Sequence, residues 1–197
     1  MVYKTKDESL KAYKEYVDDH IHCVQRAGEI YGEIIFDLVQ KRFSGGSSNT
    51  KLSRTIFKEQ LISVLRDHDR SKYGMFEFNQ YAANFYPCER DLKNPEKVKA
   101  EFDKAWKHHY SMNRHHPEAW IYTMDGETRI SSMTNISFAE MICDWIGFSI
   151  NKKSSVLDWW DNHGGAKEKK ELLPENDFKI IDEFIRANSD IFNFSKV

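Results

Sequence analysis

The sequence predicts an all-α protein: a single-domain helical bundle with a buried polar site and room for one small β-hairpin. Three observations carry this. Apolar residues recur at steps of three, four and seven along most of the chain, the period of a helix face. Strict apolar–polar alternation, the mark of a half-buried strand, is nearly absent. At 197 residues, with 40% hydrophobic and 14% aromatic residues, the chain can bury one core.

A first helix is expected from about Leu10 to about Arg42. Leu10, Tyr13, Val17, Val24, Ala27, Tyr31, Ile34 and Leu38 form its stripe. The missing member of that stripe is His20, whereas His22 falls off it. The stretch SGGSSNTKLS (44–53) has the composition of a flexible linker. A second helix, about Arg54 to Asp67, places Phe57, Leu61 and Val64 on one face. His68 is the next residue on that face, and Asp69 continues the neighbouring row of Ile62 and Leu65. A third helical piece covers FEFNQYAANFY (76–86) and ends at Pro87.

A fourth helix starts near Pro95, where proline suits a first turn. Its stripe is Val98, Phe102, Ala105, His109 and Met112, and would continue to His116. Pro117 pushes the preceding residue out of the α region, so this helix is expected to break between Asn113 and His116. MDGET (124–128) signals a turn, and WIYTM and ETRIS around it could form a small hairpin. Ser137 followed by Glu140 reads as a capping box ahead of the helix FAEMICDWIGFSI. DNHGGAKEKKELLPEND reads as a long polar connection, with KEKK (167–170) a solvated loop or helix end. A last helix, about 175 to 193, carries Phe178, Ile181, Phe184 and Ile185 and is assigned to packing.

Composition excludes several functions. Net charge is −2 with both signs mixed, which argues against a generic nucleic-acid surface. Cys23, Cys88 and Cys143 are odd in number and widely spaced, as for free thiols in a reducing compartment. The N-terminus MVYKTKDESLK has no apolar signal region, and the most apolar segment, MICDWIGFSI, carries Asp144. The expectation is a cytoplasmic protein without a membrane span. No Walker loop or Gly-rich dinucleotide fingerprint is present, so ATP-driven or NAD chemistry is unsupported. The Trp159–Trp160 pair and the Tyr and Ile residues of the first helix suit a subunit contact and a core equally.

The functional signal is polar groups in apolar places. HHYSMNRHHPEAW (108–120) holds half of the eight histidines. Four helices each place a metal-capable side chain on the buried stripe: His20, then His68 with Asp69, then His109, then Asp144. A lone carboxylate at Asp144, between Met141 and Phe148, costs several kcal/mol unless neutralised, paired or metal-bound. A single core histidine has an ordinary explanation in a backbone hydrogen bond; this ordered set points instead to a divalent metal. Nitrogen and carboxylate donors without Cys suit Mn, Fe, Co, Ni or Zn. On a continuous helix His109 and His116 would stand about 10.5 Å apart along the axis, too far for one ion. Either the chain breaks before His115, or two ions about 3.5–4 Å apart share the ligands. His115 and His116 then sit at a bend, and His108 falls on the outer side.

This order of residues resembles the HD-domain metalloprotein superfamily, whose ligands are a first His, an adjacent His-Asp pair and a distal Asp on helices. The resemblance implies His20, His68, Asp69 and Asp144 as core ligands, with His109, His115 and His116 in the interval where two-metal members add histidines. HDRSK (68–72) is similar to the HD-x-x-K form, whose lysine, here Lys72, approaches the substrate phosphate. More narrowly, HDRSKYGMFEF, AWKHHYSMNRHHPEAW and MICDWIGFS resemble a family of short bacterial and phage proteins, a domain of unknown function, over roughly residues 10 to 160. On that reading 44–53 is an insertion and the C-terminal helix an addition.

The superfamily resemblance implies phosphoester hydrolysis. A bound divalent ion lowers the pKa of its water, Asp69 orients or deprotonates that water, and Lys72 places positive charge on the phosphoryl oxygens. Asn113 and Arg114 are candidate substrate donors, and Glu77 is a candidate hydrogen-bond partner for a ligand histidine. A small phosphorylated substrate, a nucleotide above all, is the expected partner; Trp106, Tyr110 and Trp120 could stack on a base or simply pack the core. A di-iron oxygenase on the same ligands is one alternative. A metal-stabilised interaction or nucleotide-binding protein without catalysis is another, and would show a closed coordination sphere.

Overall fold

The computed structural model describes residues 2–44 and 53–195. Among them the chain forms α1 (Lys6–Ser44), α2 (Arg54–Arg66), α3 (Phe78–Phe85), α4 (Pro95–Met112), α5 (Asn135–Lys152), α6 (Val156–Asn162), α7 (Gly165–Lys170) and α8 (Glu175–Ala187). The sheet among these residues is a single antiparallel pair, β1 (Ile121–Met124) and β2 (Glu127–Ile130). The all-α reading and the small hairpin therefore both hold. Asp125 and Gly126 join the strands, both at positive φ, as the twist of a two-residue hairpin requires. The linker read at 44–53 lies outside the described residues except for its end positions.

Four local readings need correction. Helix α5 is capped by Thr134, whose hydroxyl accepts from Ser137 N at 3.1 Å, so Ser137 is inside the helix and Glu140 is not its capping partner. The polar connection after the tryptophans holds the last two residues of α6 and the whole of α7; Gly164 turns the chain between the two helices at φ 91, and Leu173 beyond them is buried. Helix α8 stops at Ala187 rather than 193, where the Asn188 amide folds back to donate to Phe184 O at 2.8 Å. Helix α3 starts at Phe78, leaving Met75 and Phe76 exposed.

Contacts gather the chain into two compact units. The first comprises residues 1–21 and 67–113. Its core is aromatic: Tyr13 and Val17 of α1 and Tyr81 and Ala82 of α3 pack with Ala105 of α4, flanked by Phe78, Phe102 and Trp106. His20 follows Tyr13 and Val17 on the same buried face of α1, as the stripe predicts.

The second unit comprises residues 22–66 and 114–197. Val24, Ala27, Ile35, Leu38 and Val39 of α1 pack with Phe57, Leu61 and Leu65 of α2 and with Phe138, Met141, Ile142 and Ile146 of α5. Gly147 lets α5 approach α1 closely: a Cβ there would lie 2.7 Å from the Val24 backbone. The Arg42 guanidinium donates to both Asp177 carboxylate oxygens at 2.7 Å and to Met133 O at 2.8 Å, tying α1 to the start of α8. Trp160 is fully buried, so the tryptophan pair belongs to the core. The three cysteines are free, and none of the described helices is long and apolar enough to cross a membrane.

Candidate metal centre

The first unit assembles its polar cluster around Asp69. Helix α2 ends at Arg66, so His68 and Asp69 lie in the turn behind it rather than on the helix. Asp69 sits at φ 55, ψ 19, a left-handed position that most side chains avoid and Asp tolerates. This turn aims the carboxylate inward. Asp69 Oδ2 stands 3.5 Å from His20 Nε2 and 3.5 Å from His68 Nε2, while Oδ1 stands 3.2 Å from His109 Nε2. Lys72, three residues on in a short 3-10 helix (Arg70–Tyr73), brings Nζ to 2.6 Å from Oδ2. Asp69, His20, His68 and His109 are all at most 3% exposed.

The donor set fits a metal ion. The ligand atoms of His20, His68 and Asp69 lie within 4.8 Å of one another. Donors held about 2.1 Å from one tetrahedral ion stand about 3.4 Å apart. A separation of 3.5 Å is long for a hydrogen bond and near that spacing. This buried cluster could hold a metal ion.

Electrostatics keep the cluster charged. Burial alone would raise the Asp69 pKa, but the charges of Lys72, His68 and His109 hold it well below the usual carboxylate range. Burial alone would lower His109, yet Asp69 and Glu77 outweigh it and raise its pKa. Glu77, fully buried, is opposed by burial too, but its bond with His109 leads the effects that lower it. Burial pushes the Tyr13 and Tyr81 phenols far above their ordinary value, so both stay protonated.

Glu77 takes the place suggested for it. Its Oε2 meets His109 Nδ1 at 2.8 Å and accepts from Ser71 Oγ at 2.9 Å, and its Oε1 meets His108 Nδ1 at 2.7 Å. His108, placed on the outer side of the helix by the sequence, is thus engaged with Glu77. Asn113, read as a substrate donor, caps α4 and donates its amide to Ser71 Oγ and His109 O, each at 2.7 Å. These bonds hold the cluster together.

The second unit carries Arg114, His115, His116 and Asp144. Helix α4 ends at Met112, and Asn113 and His116 are extended, so the break ahead of Pro117 falls where the sequence placed it. His115 is buried between two carboxylates of α5: Nδ1 lies 3.2 Å from Glu140 Oε1 and Nε2 lies 3.8 Å from Asp144 Oδ2. The His115 and His116 rings are 4.3 Å apart between centroids. Asp144 is 17% exposed, and the row it was placed on opens outward at Phe148. Arg114 stacks its guanidinium 4.0 Å above Trp120 and donates to Ala119 O, so its contacts here are local. Glu140 is the residue that the sequence misassigned. The available signal was its position four residues before Asp144, two carboxylates on one face of an otherwise apolar helix.

Fold and site together define a helical protein with buried His–carboxylate clusters able to hold a metal ion. A family of unknown function (DUF5662) matches residues 9–187, and the chain belongs to that family. The matched span runs through α8, so the C-terminal helix is part of the family rather than an addition. No curated protein and no solved structure matches the chain.

Proposed function

We propose that the protein is a divalent-metal-dependent phosphohydrolase of the HD type, acting on a nucleotide or another small phosphoester. The observation that carries this reading is the ring of His20, His68 and His109 around the buried Asp69 carboxylate, with the Lys72 ammonium 2.6 Å away. The nitrogen–oxygen donor set suits Mn, Fe, Co, Ni or Zn. When bound, such an ion supplies Lewis acidity and brings the pKa of a coordinated water toward neutrality.

The chain's own residues do the rest. Asp69 stays ionised, so its carboxylate can hold the ion and orient the attacking water. Lys72 supplies the fixed positive charge that phosphoryl transfer needs on its equatorial oxygens. The aromatic packing around His109, from Tyr81 and Trp106, keeps that imidazole in place. His115 and Asp144, 3.8 Å apart, and His116 beside His115 offer further donors, and the metal-to-protein ratio decides between one ion and two.

The test is the metal content of purified protein beside the His68→Ala/Asp69→Ala variant, with phosphate release measured on nucleotides and phosphodiesters in Mn, Co, Ni or Mg. Metal in the wild type, its loss in the variant and phosphate release together support the reading. Iron without phosphate release favours the oxygenase. A wild type that takes up no metal after loading overturns it.

A further inference from the structure

One arrangement occurs twice. In the first unit the His109 ring lies between Glu77 at Nδ1, 2.8 Å, and Asp69 at Nε2, 3.2 Å. In the second the His115 ring lies between Glu140 at Nδ1, 3.2 Å, and Asp144 at Nε2, 3.8 Å. Local structure does not impose this. Glu140 and Asp144 are one turn apart on α5, whereas Glu77 precedes α3 and Asp69 sits in a left-handed turn. Each time the glutamate is almost fully buried, where a carboxylate is costly without a partner.

A neutral imidazole has one N–H and one lone pair, and the bond made by one nitrogen decides the role of the other. We propose that Glu77 and Glu140 are positioning residues: Glu77 accepts the Nδ1–H of His109, Glu140, at ion-pair distance from His115 Nδ1, accepts the corresponding N–H when the ion binds, and each so fixes the tautomer that presents Nε2 as the metal-binding nitrogen. The carboxylate also makes the imidazole a more basic ligand. The inference rests on the metal reading above. It also assigns His108 a part, because its Nδ1 and the Ser71 hydroxyl hold the two oxygens of Glu77 in place.

Two measurements on the full chain test this. The first is nitrogen-resolved histidine NMR of the zinc-loaded wild type, which reports which ring nitrogen carries the proton. The second is zinc affinity by chelator competition for Glu77→Gln and Glu140→Gln, with Asp158→Asn as control. Asp158 faces His163 at 3.1 Å on the exposed surface, a carboxylate–histidine pair outside the clusters. The expected result is a proton on Nδ1 and zinc on Nε2 of His109 and His115. Zinc affinity should fall about 10–100-fold in each glutamine variant and stay unchanged in the control. Bound zinc with unchanged affinity in both variants, or zinc on Nδ1 of either histidine, overturns the inference and leaves the metal reading standing. A wild type that binds no zinc overturns both. The NMR arm needs no variant, so a glutamine variant that fails to fold does not remove the test.

Discussion

Lys72 Nζ lies 2.6 Å from Asp69 Oδ2, and the two residues are joined through one turn of 3-10 helix in which Lys72 N also donates to Asp69 O at 2.9 Å. The backbone bond closes the turn that brings the two side chains to the same side. Lys72→Met keeps the stem and removes the charge. The expected outcome is metal content at the wild-type level with phosphate release lowered about 10²–10³-fold, the loss seen when one preorganised transition-state donor is removed. A Lys72→Met protein hydrolysing within a few-fold of wild type would assign the lysine to holding Asp69 alone.

The raised pKa of His109 sets a pH dependence. Burial opposes protonation, but Asp69 and Glu77 win, so the metal-free protein keeps the His109 proton above the ordinary histidine value of about 6.5. An incoming ion must displace that proton. Metal affinity should therefore strengthen with pH through the histidine range and continue to do so above about pH 6.5. The same shift stabilises the metal-free fold. That contribution is complete below about pH 6.5 and is lost as pH rises through the raised value. Asp69 has the opposite sign: its contribution is present above about pH 3.9 and is lost as pH falls through its lowered value. Chelator competition and denaturant unfolding across this range check both; flat metal affinity between about pH 6 and pH 8 would contradict the His109 assignment.

Arg42 and Asp177 form a buried ion pair in the second unit, with side chains 9% and 5% exposed. Asp177→Ala leaves the guanidinium without its bidentate partner, although Met133 O and Asn135 Oδ1 still accept from it. Breaking such a pair costs about 3–5 kcal/mol, and the two remaining acceptors place the expected loss at the low end. Denaturant unfolding measures it. Phosphate release at a temperature where the variant is folded should be unchanged, because neither residue belongs to the clusters.

The helices were legible in the sequence because period and punctuation agree with tertiary packing. Tyr13, Val17, His20, Val24 and Ala27 are buried along α1 as its stripe predicts. Pro117 and the Asp-Gly pair mark real boundaries. Legibility fails where a competing local partner exists. Ser137 and Glu140 have the spacing of a capping box, but Thr134 takes the capping role and Glu140 turns to His115. His68 and Asp69 continue the α2 stripe on paper, yet the helix ends at Arg66 and a left-handed Asp redirects the chain. Residue type identified His20, His68, Asp69 and His109 as one chemistry. Their distances around Asp69, and the parts of Ser71, Asn113 and His108 through Glu77, depend on long-range packing that no spacing rule encodes.

Gly147 and Gly32 make a paired test of the second unit's packing. Both lie inside helices, where replacing Gly by Ala favours the helix by about 1 kcal/mol. At Gly32 a Cβ meets nothing within 4 Å, so Gly32→Ala should stabilise the protein by about 0.5–1 kcal/mol. At Gly147 the added Cβ falls 2.7 Å from Val24 Cα and N, which are backbone atoms of α1 and cannot rotate away. Overpacking of this kind costs about 1–3 kcal/mol, enough to outweigh the helix gain. Gly147→Ala should therefore destabilise while Gly32→Ala stabilises, read as opposite shifts of the denaturation midpoint at constant slope. Equal stabilisation by both would mean that α5 and α1 are not held in this close contact.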